Sequence, residues 1–171
     1  MNYLNKIIAS VTFLFSLVVY IMTMAPTTSF WDCGEFIATS VIMGVPHPPG
    51  TPFYLLLGNF FSQLPTFSYI GARVNLISPI FSAFAVMFLY LIIVQLIEEW
   101  RGESKSFSDF LITYGSAFIG ALTFAFTDSH WFNAVEAEVY SLSTFFTSIV
   151  VWLILQWSKN SGHSGNVRYI L

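Results

Sequence analysis

Val74-Asn75-Leu76-Ile77-Ser78-Pro79-Ile80-Phe81-Ser82-Ala83-Phe84-Ala85-Val86-Met87-Phe88-Leu89-Tyr90-Leu91-Ile92-Ile93-Val94-Gln95-Leu96-Ile97 carries no charged residue from end to end. A helix needs roughly 20 mostly apolar residues to cross a hydrocarbon core about 30 Å thick, and this run is long enough. Working outward from it, Ile7–Ala25, Phe110–Thr127 and Ser141–Trp157 qualify or come near. Ile7–Ala25 reads as a span rather than a cleaved leader, because it is long and Met22–Pro26 makes a poor cleavage site. A fifth apolar stretch, Phe53–Leu64, is short and is bracketed by Pro48, Pro49, Pro52 and Pro65. It reads as an interfacial or re-entrant helix. The expected fold is therefore all-α and polytopic. It has about four transmembrane helices, near 7–25, 74–97, 110–127 and 141–157, with interfacial helices in a long loop, 26–73, after the first span.

Composition supports the lipid bilayer as solvent. The chain has 171 residues, 56% hydrophobic and 9% charged, whereas soluble domains carry about 25% charged residues. A net charge of −3 and the absence of a basic run argue against nucleic acid. The single cysteine, Cys33, excludes an internal disulfide and a cysteine-based metal cluster. No nucleotide-binding loop, dinucleotide fingerprint or zinc-protease helix motif is present.

Positive charge favours the cytoplasmic side of a membrane. With the N-terminus inside and the spans above, Lys6, Arg101, Lys105, Lys159 and Arg168 fall on that side and only Arg73 falls outside. Letting Phe53–Leu64 span as well inverts the balance. The two extracytoplasmic segments, Pro26–Arg73 and Asp128–Tyr140, then hold Asp32, Glu35, Asp128, Glu136 and Glu138. Ser158–Gly165 reads as a polar linker after the last span.

Trp31-Asp32-Cys33-Gly34-Glu35-Phe36 is the most informative of the loop sequences. Asp32 and Glu35 share a helix face. They read as an N-cap and its capping-box partner, or as paired carboxylates of which one serves as a general base. The two readings are compatible. Carboxylates near lipid are costly unless paired or facing water. Downstream, Val45-Pro46-His47-Pro48-Pro49-Gly50-Thr51-Pro52 is too proline-rich for helix. It ends the preceding helix and presents His47 to a phosphate or sugar, or simply as a structural hydrogen-bonder. Arg73 either neutralises the acids or binds a lipid phosphate. In the second loop Asp128 or Ser129 could cap the fourth helix, which would place Asn133, Glu136 and Tyr140 on one face and Glu138 elsewhere. A divalent cation between His130, Glu136 and the first-loop acids is compatible with hard-ligand chemistry, although nothing in the sequence demands one.

Taken in order, Trp31–Phe36, Pro46-His47-Pro48-Pro49-Gly50, Arg73-Val74-Asn75 and Glu136-Ala137-Glu138-Val139-Tyr140 resemble a family of glycosyltransferases. It is the bacterial membrane family, within the GT-C superfamily, that is related to a vertebrate transmembrane protein O-mannosyltransferase. The likeness covers nearly the whole chain. It implies a GT-C-like N-terminal module, residues 1–171, belonging to a longer protein with more spans. It also implies a bacterial inner membrane with the acidic loops outside the cytoplasm. The donor would be a sugar, mannose for example, on a polyprenyl phosphate, and the acceptor a hydroxyl such as Ser or Thr of an exported protein. Transfer would invert the anomeric carbon. By the same resemblance Asp32 is the catalytic base and Glu35 supports it or positions the acceptor. His47 and Arg73 meet the donor phosphate, and Glu136, Glu138 and Tyr140 line the opposite wall. The acids stand as Asp-x-x-Glu where protein O-mannosyltransferases have them adjacent, which leaves the base open between Asp32 and Glu35. The alternatives are an ion-coupled transporter and a non-catalytic membrane subunit. Transport acids belong near mid-span, and none lies there.

Overall fold

The computed structural model describes residues 3–102 and 106–159. Lys105, Arg168 and most of the Ser158–Gly165 linker lie outside the described residues. Among the described residues there is no strand. Four helices are long and apolar enough to cross a membrane: Tyr3–Thr23, Ile70–Arg101, Phe107–Ala125 and Val139–Lys159. The chain is an integral membrane protein.

Helix α1 (Tyr3–Thr23) is inverted relative to a soluble helix. Its inward stripe is Asn5, Ala9, Thr12, Ser16 and Tyr20, while Leu4, Ile7, Val11, Leu14, Phe15, Val18 and Met22 face outward. Lipid is as apolar as leucine, so helix contacts in a membrane are made by small residues that let backbones approach and by polar groups that bond across. Tyr20 does the latter, its hydroxyl donating to the Ala125 carbonyl at 2.8 Å.

The short helices α2 (Cys33–Ile42), α3 (Pro52–Gln63) and α4 (Ile70–Asn75) follow. At 12 residues, α3 is about 18 Å long, well short of a bilayer core, so Phe53–Leu64 does not span. It packs tightly on α2: a Cβ at Gly58 would collide with the Ser40 hydroxyl, and Asn59 Nδ2 donates to the Ser40 carbonyl at 3.0 Å.

Helix α5 (Ile77–Arg101) is the central element, packed against α1, against Ser116–Ala125 of the third span and against the last span, Val139–Lys159. Burial on several sides explains why it is apolar around its circumference. The third span is composite: α6 (Phe107–Phe110), a π-helical turn (Leu111–Gly115) and α7 (Ser116–Ala125). Ser106 begins it with a true capping box, accepting from Asp109 N at 3.1 Å and donating its own N–H to the Asp109 carboxylate at 3.2 Å. Ala117, Ala121 and Ala125 form the small-residue stripe that seats α7.

The second loop departs from expectation. Rather than starting the last span, Asp128–Ala134 forms a separate short helix, α8, with Thr127 at its N-cap. The chain then leaves helical geometry at Val135–Glu138 before α9 (Val139–Lys159) begins. Asn133, Glu136 and Tyr140 therefore do not share one helical face. At the far end of the bundle polar groups clamp α5 to α9. Gln95 Nε2 donates to the Leu155 carbonyl at 2.7 Å, Gln156 Nε2 donates to Gln95 Oε1 at 2.7 Å, and Lys159 pairs with Glu98 at 3.5 Å. Asp32, Glu35, Glu136 and Glu138 all lie at the opposite end.

Candidate functional site

The coil between α1 and α2 is irregular, yet it is pinned. Ala25 N donates to the Val135 carbonyl at 2.8 Å. Asn75 Nδ2 donates to the carbonyls of Ala25, at 2.7 Å, and Thr27, at 2.8 Å. The Cys33 thiol donates to Asn75 Oδ1 at 3.6 Å. The last turn of α4, the start of α2 and the loop before α9 thereby become one surface. Asn75 is the hub that sequence reasoning passed over. The signal was an amide at the head of an apolar run, which once buried must find partners.

On that surface Asp32 and Glu35 behave differently from a capping pair. Asp32 occupies the N-cap of α2, but its side chain makes no cap bond. Glu35 turns to the proline-rich loop instead. One carboxylate oxygen accepts from the His47 backbone N–H at 2.8 Å and the other meets His47 Nδ1 at 2.7 Å. The imidazole is thus fixed from two directions, and its Nε2 lies 4.0 Å from Asp32 Oδ2. The His47 hydrogen bonds pull the Glu35 carboxyl below its ordinary range, and the same contact pushes the His47 imidazole up. All three side chains are partly solvent-exposed, so these effects are screened by water. The ring rests against Phe36, centroids 5.9 Å apart.

The second loop supplies two carboxyls from beneath. Glu138 is 6% exposed and Glu136 is 2% exposed. Burial, then the charges of Glu136 and Asp32, push Glu138 up to about 7. Burial raises Glu136 as well. Ser78 and Ser141 hold the Glu138 backbone. Glu138 N donates to Ser78 Oγ at 3.4 Å, and Ser141 Oγ donates to the Glu138 carbonyl at 3.0 Å. Tyr54 is buried nearby, and its phenol is raised by that burial.

Other expected site residues stand apart. Arg73 donates through Nε to the Phe67 carbonyl at 2.6 Å and through Nη1 to the Ser62 carbonyl at 3.2 Å. It makes no salt bridge to the acids among the described residues, and it holds the α3–α4 turn. Tyr140 is exposed on the first turn of α9. His130 is buried against Phe124, ring centroids 4.4 Å apart, and burial lowers it to about 4. A neutral core histidine follows, rather than a ligand beside the first-loop acids. Among the described residues the set whose ligand atoms lie within 4.8 Å of one another is Asp32, Glu35 and His47. Those three could hold a hard divalent cation.

A bundle of membrane-crossing helices that gathers carboxylates and a fixed histidine at one end defines a polytopic membrane protein with a polar surface site. Comparison with known proteins narrows the class. A family model described as the N-terminal domain of protein O-mannosyl-transferase TMEM260 matches residues 32–171, and the chain belongs to that family. A protein named protein O-mannosyl-transferase tmem260 from Dictyostelium discoideum is 26% identical over 145 residues, covering 83% of this chain and 16% of that protein. The mouse protein named protein O-mannosyl-transferase TMEM260 is 28% identical over 141 residues, covering 82% of this chain and 18% of that protein. The chain thus spans less than a fifth of the length of either relative. No solved structure matches.

Proposed function

We propose that residues 1–171 form the catalytic-face membrane module of a protein O-mannosyltransferase. In this reading the module carries a sugar, mannose in the first instance, from a polyprenyl-phosphate donor to a Ser or Thr hydroxyl of an exported protein. The acidic end of the bundle faces away from the cytoplasm, in a bacterial inner membrane. The observation that carries the reading is Asp32. Its carboxylate is free of any cap bond, half-exposed, and 4.0 Å from a histidine that Glu35 fixes in place. A general base must be reachable by substrate and need not be occupied with folding.

The acceptor hydroxyl gives its proton to an Asp32 carboxylate oxygen while the hydroxyl oxygen bonds to the anomeric carbon. The bond from that carbon to the phosphate oxygen breaks, and polyprenyl phosphate departs with the electron pair. Attack opposite the leaving group inverts the configuration. Glu35 is a positioning residue that keeps His47 oriented and favours its charged form. His47, through Nε2, offers positive charge to the leaving phosphate. Glu138, pushed up to about 7 by its surroundings, sits below as a carboxyl able to stay neutral, which limits repulsion of the phosphate. Among the named candidates this leaves Arg73 to hold the turn beneath the site.

The transporter alternative needs a carboxylate within the bilayer. Among the described residues the acids lie at the ends of the spans or in the loops. The experiment is transfer of labelled mannose from polyprenyl-phosphomannose to a Ser/Thr peptide by membranes containing the protein, with product configuration read by NMR. An inverted mannosyl-Ser/Thr is expected. A retained configuration, or no transfer from any polyprenyl-phosphate sugar, rules the reading out.

A further inference from the structure

Between Glu35 and Arg73 the chain carries no Asp, Glu, Lys or Arg, whereas a soluble domain draws about 25% of its residues from those four. That stretch builds α2 and α3, and its large apolar side chains point outward. Phe53, Leu56 and Phe60 form an exposed stripe along α3 at spacings of three and four, and Ile42 and Val45 are exposed where the chain leaves α2. The opposite face of α3 holds Tyr54, Leu55, Gly58 and Ser62. There the backbone of Gly58 approaches the Ser40 hydroxyl, and Asn59 Nδ2 donates to the carbonyls of Ser40 at 3.0 Å and Val41 at 3.3 Å. Small and polar groups inward with large apolar groups outward is also the arrangement of α1, which crosses the membrane.

Contacts with the spans fix the height of α3 on the bundle. Phe53 meets Phe146 of α9, ring centroids 5.9 Å apart. Leu57 and Phe61 join Ile77 and Phe81 of α5 and Val139 and Leu142 of α9 in one apolar cluster. Those partners belong to the opening turns of two membrane-crossing helices, so α3 lies at their level. Its stripe continues the outward surface of α9, where Phe146, Val150 and Ile154 are exposed. We propose that the α2–α3 hairpin is a bilayer-docking surface that buries Ile42, Val45, Phe53, Leu56 and Phe60 among the acyl chains of the leaflet at the acidic end. Lipid is the occupant because a protein-binding face carries a polar rim around its apolar centre, and this stretch has no charged side chain to build one. Glu35 stands on the first turn of α2, and His47, bonded to it, follows shortly after the helix ends. The depth of the hairpin therefore sets the height of the site, and a lipid-borne substrate meets it at the level of the headgroups without leaving the membrane. The inference rests on the membrane spans and stands whether or not the site transfers sugar.

Spin labels on Ile42→Cys, Leu56→Cys and Phe60→Cys test it, in the whole chain reconstituted into phosphatidylcholine vesicles. Val150→Cys, on the exposed face of α9, supplies the lipid reference, and Asp128→Cys, exposed in the second loop, the water reference. Cys33 is fully buried and is kept, with the unaltered chain as the labelling blank. EPR reads collisions with oxygen, which concentrates among acyl chains, and with a polar nickel chelate, which stays in water. The three hairpin labels are expected to match Val150→Cys, with strong relaxation by oxygen and loss of relaxation by nickel. Relaxation by nickel equal to that of Asp128→Cys places the hairpin in water and overturns the proposal. Protection from both reagents means that protein covers the face, a second copy or another partner, and overturns it as well. The labelled side chains are exposed, and three separate positions keep the test decisive where one variant fails to assemble.

Discussion

Replacing Asn75 by alanine should loosen the site without touching any group that meets substrate. Asn75 is fully buried. Its amide supplies the donors for the Ala25 and Thr27 carbonyls at 2.7 and 2.8 Å, and its oxygen accepts the Cys33 thiol. Alanine removes all of these and leaves a small cavity. An unsatisfied buried partner costs about 1–3 kcal/mol. The carbonyls are only partly buried, and water can recover some of that, so a total of about 2–4 kcal/mol is expected. For a chain of this size the loss corresponds to a Tm lower by roughly 5–15 °C on the scale of globular proteins. The assay is thermal unfolding in nanodiscs followed by hydrogen exchange resolved by segment. Faster exchange should concentrate in residues 24–36 and 135–138, with the α5–α9 clamp at Gln95 unaffected. An unchanged Tm with unchanged exchange in the 24–36 coil would refute the assignment of Asn75 as the hub of that surface.

Further outcomes follow from other contacts. Glu35→Gln removes the carboxylate that raises His47, so the His47 titration followed by NMR should fall back toward the ordinary histidine range. Glu138 has a folded pKa of about 7, raised from 4.5. The folded state therefore holds its proton more tightly, and the linked stability is lost as pH rises from about 4.5 to about 7. Glu138→Gln should flatten that part of the stability profile, worth on the order of 2 kcal/mol after allowance for solvent. Gly58→Val forces a side chain into Ser40 and should cost about 1–3 kcal/mol, seen as early unfolding of α2 and α3. Gln95→Leu removes the bonds to Leu155 and Gln156 and should lower stability by about 1–2 kcal/mol while leaving the distant acidic end intact.

The spans were legible because a bilayer sets their length, and the apolar runs met that length with charges only at their ends. The same reasoning read Phe53–Leu64 as an interfacial or re-entrant helix rather than a span, and α3 is indeed short. Boundaries drifted where local bonding decided them. The capping box expected at Asp32–Glu35 is absent, while one does occur at Ser106–Asp109 and carries the third span back to Phe107. Both pairs satisfy the same spacing rule. The difference is tertiary, since the Glu35 carboxylate is taken by His47 while the Asp109 carboxylate stays with Ser106. The break at Val135–Glu138 was hidden for a similar reason. Its backbone is satisfied by Ala25 and Ser78, residues remote in sequence. Asp32 and Glu35 were legible as a pair from their spacing, but the contact of Glu35 with His47 was not, because the proline-rich loop brings it about. The separation of Arg73, the burial of His130 and the hub at Asn75 depended on where the helices cross, which no local pattern records.

The central claim is that the Asp32 carboxylate takes the acceptor proton. Its most direct measurement is mannose transfer from polyprenyl-phosphomannose to a hydroxyl acceptor by Asp32→Asn, compared with wild type at equal abundance in the membrane. Asparagine keeps the size and removes the basicity, and Asp32 makes no cap bond whose loss could disturb α2. The account predicts that transfer falls by about 10²–10⁴-fold with donor binding preserved. Transfer by Asp32→Asn within a few-fold of wild type would contradict it.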